Sequence, residues 1–220
     1  VLYLAEDGAA ELAQLPFAPG EGPFRVKGVA YRGHMDYVRD HLQGGLGAML
    51  AALPDPAVRA FFDQPFLASV RYDVRPLALA GVACGKLTGA GYLPFVALRT
   101  RLQADDDIHG VYKFLLKFVS ADVIAARGPK VMTQYFDFGA ATSRVAPDGT
   151  TVGTLAGLPR PLAPWLITCV QAYVDQVSRI AANTQTEWLS LTPRAAGTSH
   201  GVPLVDVDYV VRMVAAPPPT

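Results

Sequence analysis

The most regular pattern in the chain lies near its end. Over residues 204–214, Val205, Val207, Tyr209, Val211 and Met213 share one side, and Asp206, Asp208 and Arg212 fall on the other with Leu204 and Val210. Strand side chains alternate between faces, so this spacing predicts a strand with one buried face. TEWLSLT, 186–192, supplies its hairpin partner. An earlier hairpin is predicted over Tyr135–Leu155, with its turn at Pro147-Asp148-Gly149, where glycine supplies the positive φ. Between the two, Pro164 starts a helix, and Leu166, Cys169, Val170, Tyr173, Val177 and Ile180 form its apolar face. Each hairpin alone is marginal in water. The second half therefore reads β-β-α-β-β: one four-stranded antiparallel sheet with the 165–182 helix across a face.

The first half follows a helical period. Met35, Val38, Leu42, Leu46, Met49 and Leu53 recur at three- and four-residue steps, with Gly44, Gly45 and Gly47 marking a break or a close helix contact. Pro54-Asp55-Pro56 ends this helix and opens a short one carrying Val58, Phe61 and Phe62. QPFLASVRYDVRP reads as a loop with some extended character, and helices are predicted over 76–87 and 92–103. Asp105, Asp106 and Asp107 suit the positive N-terminal end of a further helix, whose stripe is Ile108, Val111, Tyr112, Leu115, Leu116 and Val119. Ser120-Ala121-Asp122 caps a short helix to Arg127. The fold class is α+β, with N-terminal helices packed on the C-terminal sheet. Residues 1–24 read as an extension with a Pro/Gly linker, 25–214 as a single domain, and 215–220 as a Pro-rich tail.

Composition narrows the function classes. The 220 residues are 51% hydrophobic, enough for a sizeable core. Nineteen basic and nineteen acidic residues cancel, so no long-range field gathers nucleic acid. Apolar runs stop far short of the ~20 residues a membrane-spanning helix needs. Cys84 and Cys169 both sit in apolar helical patterns, where a free thiol behaves as a small hydrophobe. Two distant cysteines make no thiolate zinc set and fit a cytoplasmic protein.

VKGVAYRGHMDYVRDHLQGGLGAMLAALP, then VYKFLLKFVSADVIAARGPKVMTQYFDFGAATSRV, an amphipathic helix and a closing hairpin follow in order. This order resembles a domain-of-unknown-function family found chiefly in myxobacteria. Its layout is similar to the vinyl-reductase-like and haem-NO-binding ligand-sensing domains, which open with a Lys-Gly helix, as at Lys27-Gly28, and close β-β-α-β-β. The resemblance spans about residues 25–214 and implies a fold able to hold a small apolar ligand between helices and sheet. Two departures limit it. The last hairpin, TPRAAGTSHGVPL, lacks the Cys-rich zinc segment of the vinyl-reductase-like sensors. His109 is followed by GVYKFLLKF, and the Tyr-x-Ser-x-Arg word of the haem-NO-binding domains is absent. Neither zinc nor haem is carried over, and no cofactor is expected.

Catalytic patterns are thin. His34 and His41, seven apart, are awkward as joint metal ligands, and His200 lies in a Gly/Ser/Thr loop. Asp105–Asp107 with His109 form the strongest metal pattern, though helix capping is the better explanation of the carboxylates. No Gly-x-Ser-x-Gly elbow occurs; GKLTG, 85–89, lacks the phosphate-loop spacing; and Asp137-Phe138-Gly139 has no other kinase feature beside it. No catalytic or metal-binding residue is assigned. Aromatics crowd the second half, so an apolar pocket is expected from Tyr112, Leu116, Tyr135, Phe136 and Tyr173, with Arg71, Tyr72 and Arg75 at its mouth. The sequence thus points away from an enzyme and towards a non-catalytic small-molecule-binding or sensory module. The alternative is a structural or protein-interaction domain with a filled core, meeting a protein partner or its own copies through its surface.

Overall fold

The computed structural model describes residues 8–109 and 121–215. Helix α1, Ala9–Ala13, precedes a two-stranded antiparallel ribbon of β1, Arg25–Lys27, and β2, Arg71–Asp73. Between these strands run α2, Gly28–His41, α3, Gly45–Ala52, and α4, Pro56–Phe61. Gly44 and Gly45 both take positive φ, so the glycine cluster breaks one periodic stretch into α2 and α3. Asp55 caps α4 by accepting from Ala57 N at 2.8 Å, with Pro56 at its first position.

Helices α5, Val74–Leu87, and α6, Tyr92–His109, form an antiparallel pair, followed by α7, Ala121–Tyr135. The sheet then appears: β3, Ala140–Val145; β4, Thr151–Pro159; helix α8, Ala163–Ala182; β5, Thr184–Ser199; and β6, Val202–Ala215. Spatial order is β3-β4-β6-β5, antiparallel throughout. Strand β6 is therefore central, paired with β4 at Leu155↔Val207 and with β5 at Trp188↔Val211. Val205, Val207 and Val211 are buried, and Tyr209 is half-buried. The α+β class, the N-terminal helices and the four-stranded antiparallel sheet are as the pattern predicts.

Several boundaries differ for physical reasons. Tyr135 ends α7 instead of opening a strand, and the helix passes through Pro129. The chain then turns at Gly139, with φ of 68°, before β3 begins. Asp137 here accepts from Arg25 N at 2.7 Å, and Phe138 meets the ring of Phe24 edge-on at 5.5 Å. The Asp-Phe-Gly word is thus a joint between the two sheets. The Asp105–Asp107 cluster lies in the last turn of α6, not at a helix N-terminus. The stretch 8–24 packs into the domain: Leu12 is fully buried, and Gly20 N and Gly22 N donate to Asp73 Oδ2 at 3.0 and 3.1 Å. Among the described residues no helix is long and apolar enough to cross a membrane.

Candidate functional site

A cavity of about 200 Å³ lies between the helices and the inner sheet face. Helix α6 presents Phe95, Val96, Arg99, Thr100 and Gln103 to it, positions spaced so that they share one face. Helix α8 contributes Trp165, Cys169, Val170, Tyr173 and Val177 by the same periodicity. The sheet closes the far side with Leu155, Tyr209, Val211 and Met213, and the end of α7 adds Met132, Tyr135 and Phe136.

Three of the expected pocket residues, Tyr135, Phe136 and Tyr173, line this cavity. Tyr112 and Leu116 lie outside the described residues. Arg71, Tyr72 and Arg75 do not line it, which corrects the expected mouth. Arg75 is buried and donates to Phe17 O and Ala13 O at 2.5 and 2.9 Å, holding the N-terminal stretch. Arg71 donates to Thr133 O, and the Tyr72 hydroxyl accepts from Leu67 N. These side chains serve backbone groups at helix ends and in loops.

Asp107 organises one corner. Its Oδ2 accepts the hydroxyls of Tyr135 at 2.7 Å and Tyr173 at 3.0 Å, and its Oδ1 accepts from Gln103 Nε2 at 3.2 Å. One carboxylate thereby ties α6, α7 and α8 together. Burial pushes its pKa up, against the pull of these three donors. Asp105 Oδ1 accepts from Gln176 Nε2 at 2.6 Å. The acidic cluster is therefore drawn into inter-helix contacts. Among the described residues no group of three or more His, Cys, Asp or Glu side chains is placed to hold a metal ion. The side chain of His109 is outside the described set.

The sequence did not place the remaining polar groups on a common wall. His34, on α2, is buried with Nε2 3.9 Å from Cys84 Sγ and its ring edge-on to Phe95. Burial, aided by the nearby Arg99 cation, lowers its pKa to about 3, so it is neutral at ordinary pH. Arg99 lies over the ring of Tyr37, 5.2 Å from its centroid. Burial pushes the Cys169 thiol up to about 12, against a hydrogen bond with Thr100 that lowers it. A signal for Arg99 exists in the sequence: it stands one turn after Phe95 on the apolar face of α6.

The fold is that of haem-NO-binding (H-NOX) domains. An H-NOX protein from S. oneidensis in the Fe(II)NO ligation state is similar with a TM-score of 0.60 at 8% identity, over 86% of this chain and 99% of that one. An Fe(II) unliganded H-NOX protein from K. algicida gives 0.60 at 9% identity, over 88% and 100%. An oxygen-binding H-NOX domain related to soluble guanylate cyclases gives 0.57 at 9%, over 85% and 94%. No protein-family model matches the sequence, and no curated protein does. At these identities the likeness establishes the fold alone.

Among the described residues, the donor set on the cavity wall does not suit a haem. The imidazole on that wall, His34, turns Nε2 towards Cys84, whereas haem iron needs an axial ligand facing the macrocycle.

Proposed function

We propose that this chain is a non-catalytic small-molecule-binding module of the sensory kind, taking a small, largely apolar ligand between its helices and its sheet. The observation that carries this reading is the cavity itself. Filling 200 Å³ of apolar space is worth ~5 kcal/mol at ~24 cal/mol per Å³, a large share of a domain's stability. Tyr135, Phe136 and Tyr173 are the proposed aromatic contacts; Tyr112 and Leu116 are proposed as ligand contacts with them and lie outside the described residues. The hydroxyls of Tyr135 and Tyr173 are committed to Asp107, so their contribution to binding is ring area and a fixed wall.

The wall chemistry supports binding over turnover. Cys169 is its one thiol among the described residues, and a pKa of about 12 leaves that thiol protonated and a poor nucleophile. Free Cys84 and Cys169 support a cytoplasmic setting. The order of sequence words supports kinship with the myxobacterial domain family. No cofactor is assigned.

The test is a melting-temperature screen of the intact chain against small apolar metabolites, with native mass spectrometry of protein from its own source. A cognate ligand at a hundred times its Kd stabilises by ~2.7 kcal/mol, which raises the melting temperature by roughly 5–10 °C in a chain of this size. A broad screen with no shift, and a native mass equal to the bare chain, would leave the interaction-domain alternative in place.

A further inference from the structure

The cavity is largely apolar, and Arg99 is the one charged side chain on its described wall, beside the polar groups of His34, Thr100 and Gln103. Arg99 Nε is buried with no hydrogen-bond partner, and no carboxylate among the described residues stands within ion-pair distance of the guanidinium. Asp36, on the neighbouring α2, is instead paired with Arg39 at 2.8 Å. The packing makes room for the cation: a side chain at Gly33 would run into Arg99 Nη2 at 2.9 Å and Gln103 Oε1 at 2.7 Å. The guanidinium stacks on Tyr37 and feels the charges of Asp106 and Asp36 across a distance, but its buried Nε–H keeps no acceptor. An unmet charged donor beside an apolar space is the complement of a carboxylate.

We infer that the cavity selects a small apolar monocarboxylic acid, its ring or short chain lying between α6, α8 and the sheet and its carboxylate on Arg99. This rests on the cavity being the ligand site. Apolar space of ~150 Å³ holds benzene, so about 200 Å³ admits a body on the order of six to nine carbons. A single guanidinium matches a single negative charge. His34, beside it, is kept neutral and adds no second cation for a dianion such as a phosphate monoester.

Calorimetry on the intact chain with phenylacetate, phenylacetamide and ethylbenzene tests this, using the parent, Arg99→Met and Arg99→Lys. The parent should bind phenylacetate about ten- to a hundred-fold more tightly than phenylacetamide, the range for a charge-assisted hydrogen-bonded pair. Arg99→Met should level the two. Arg99→Lys, which keeps the charge but loses the fork, should retain part of the preference, and it serves if the methionine variant does not fold. Equal binding of acid and amide by the parent, or an acid preference that survives Arg99→Met, overturns the inference. Ethylbenzene binding without any acid preference defeats this inference alone; failure of all three compounds on the parent takes the cavity reading down with it.

Discussion

Tyr135 donates its hydroxyl to Asp107 Oδ2 at 2.7 Å, joining the end of α7 to the last turn of α6 across 28 residues of sequence. Tyr173 adds a second hydroxyl to the same oxygen from α8. Asp107→Ala would remove the hydrogen bonds that two hydroxyls, one buried and one half-buried, make to this carboxylate, so a loss of about 1–3 kcal/mol is expected in urea unfolding. Asp107→Asn keeps an acceptor and should cost less. The pH dependence has a definite sign. Burial raises the folded carboxyl's pKa, so the fold holds this proton more tightly than the unfolded chain does. The contribution is fully present below the ordinary carboxylate value and is lost as pH rises through the raised one. The Asn variant should therefore gain on the parent as pH rises through that window; a constant difference would contradict the buried clamp.

His34 carries the opposite dependence. Its pKa falls from 6.5 to about 3 on folding, so below pH 6.5 the unfolded chain binds a proton that the folded chain refuses. Stability from this group is present above pH 6.5 and is lost as pH falls towards 3, by several kcal/mol at the acid end. His34→Leu should flatten that part of the stability–pH curve. A curve unchanged by the substitution would show that His34 titrates normally.

Asp73 is the tie that secures the N-terminal stretch. Its carboxylate accepts from Gly20 N, Gly22 N and Arg75 N, the last as the cap of α5. Asp73→Ala removes the acceptor of three backbone donors and should cost about 3 kcal/mol or more by chemical denaturation. The same variant should speed proteolysis near 16–23, because those loops lose their anchor.

Strand β6 allows a direct test of the sheet. Val207 is fully buried between β4 and β5, so Val207→Asp places an uncompensated charge in the core, at a cost of several kcal/mol. A melting temperature within a degree or two of the parent would refute the placement. This strand was legible because its alternation is strict and one face is buried. The β1–β2 ribbon was not, since three-residue strands carry too few alternating positions to register. The extent of α7 was hidden by Pro129 and by strand-forming aromatics at Tyr135–Phe138, whose packing on Phe24 and Trp165 overrode local preference. The role of the Asp cluster depended on Tyr135 and Tyr173 arriving from elsewhere, which no local pattern encodes. Of the cavity, the aromatic side was visible as a surplus of rings; the place of Arg99 and His34 on its wall was not, because one polar group inside an apolar stripe looks locally like a solvated edge.

Phe136 separates a ligand wall from plain core. It is half-buried at the cavity edge, edge-on to Trp165 at 5.9 Å and to Phe138 at 5.5 Å. Full burial of a phenylalanine makes truncation cost ~3–5 kcal/mol, and partial burial places Phe136→Ala near or below the lower end. The substitution also opens the space by most of one benzene ring. If Phe136 bounds the ligand, the variant should lose affinity for a single-ring compound through lost contact. It should gain affinity for a two-ring compound of the same polarity, which the parent excludes. Melting-temperature shifts with benzene- and naphthalene-sized ligands, measured on both proteins, read this directly. An unchanged order of preference, with a stability loss as the sole effect, would assign Phe136 to the core and place the ligand-binding wall elsewhere around the cavity.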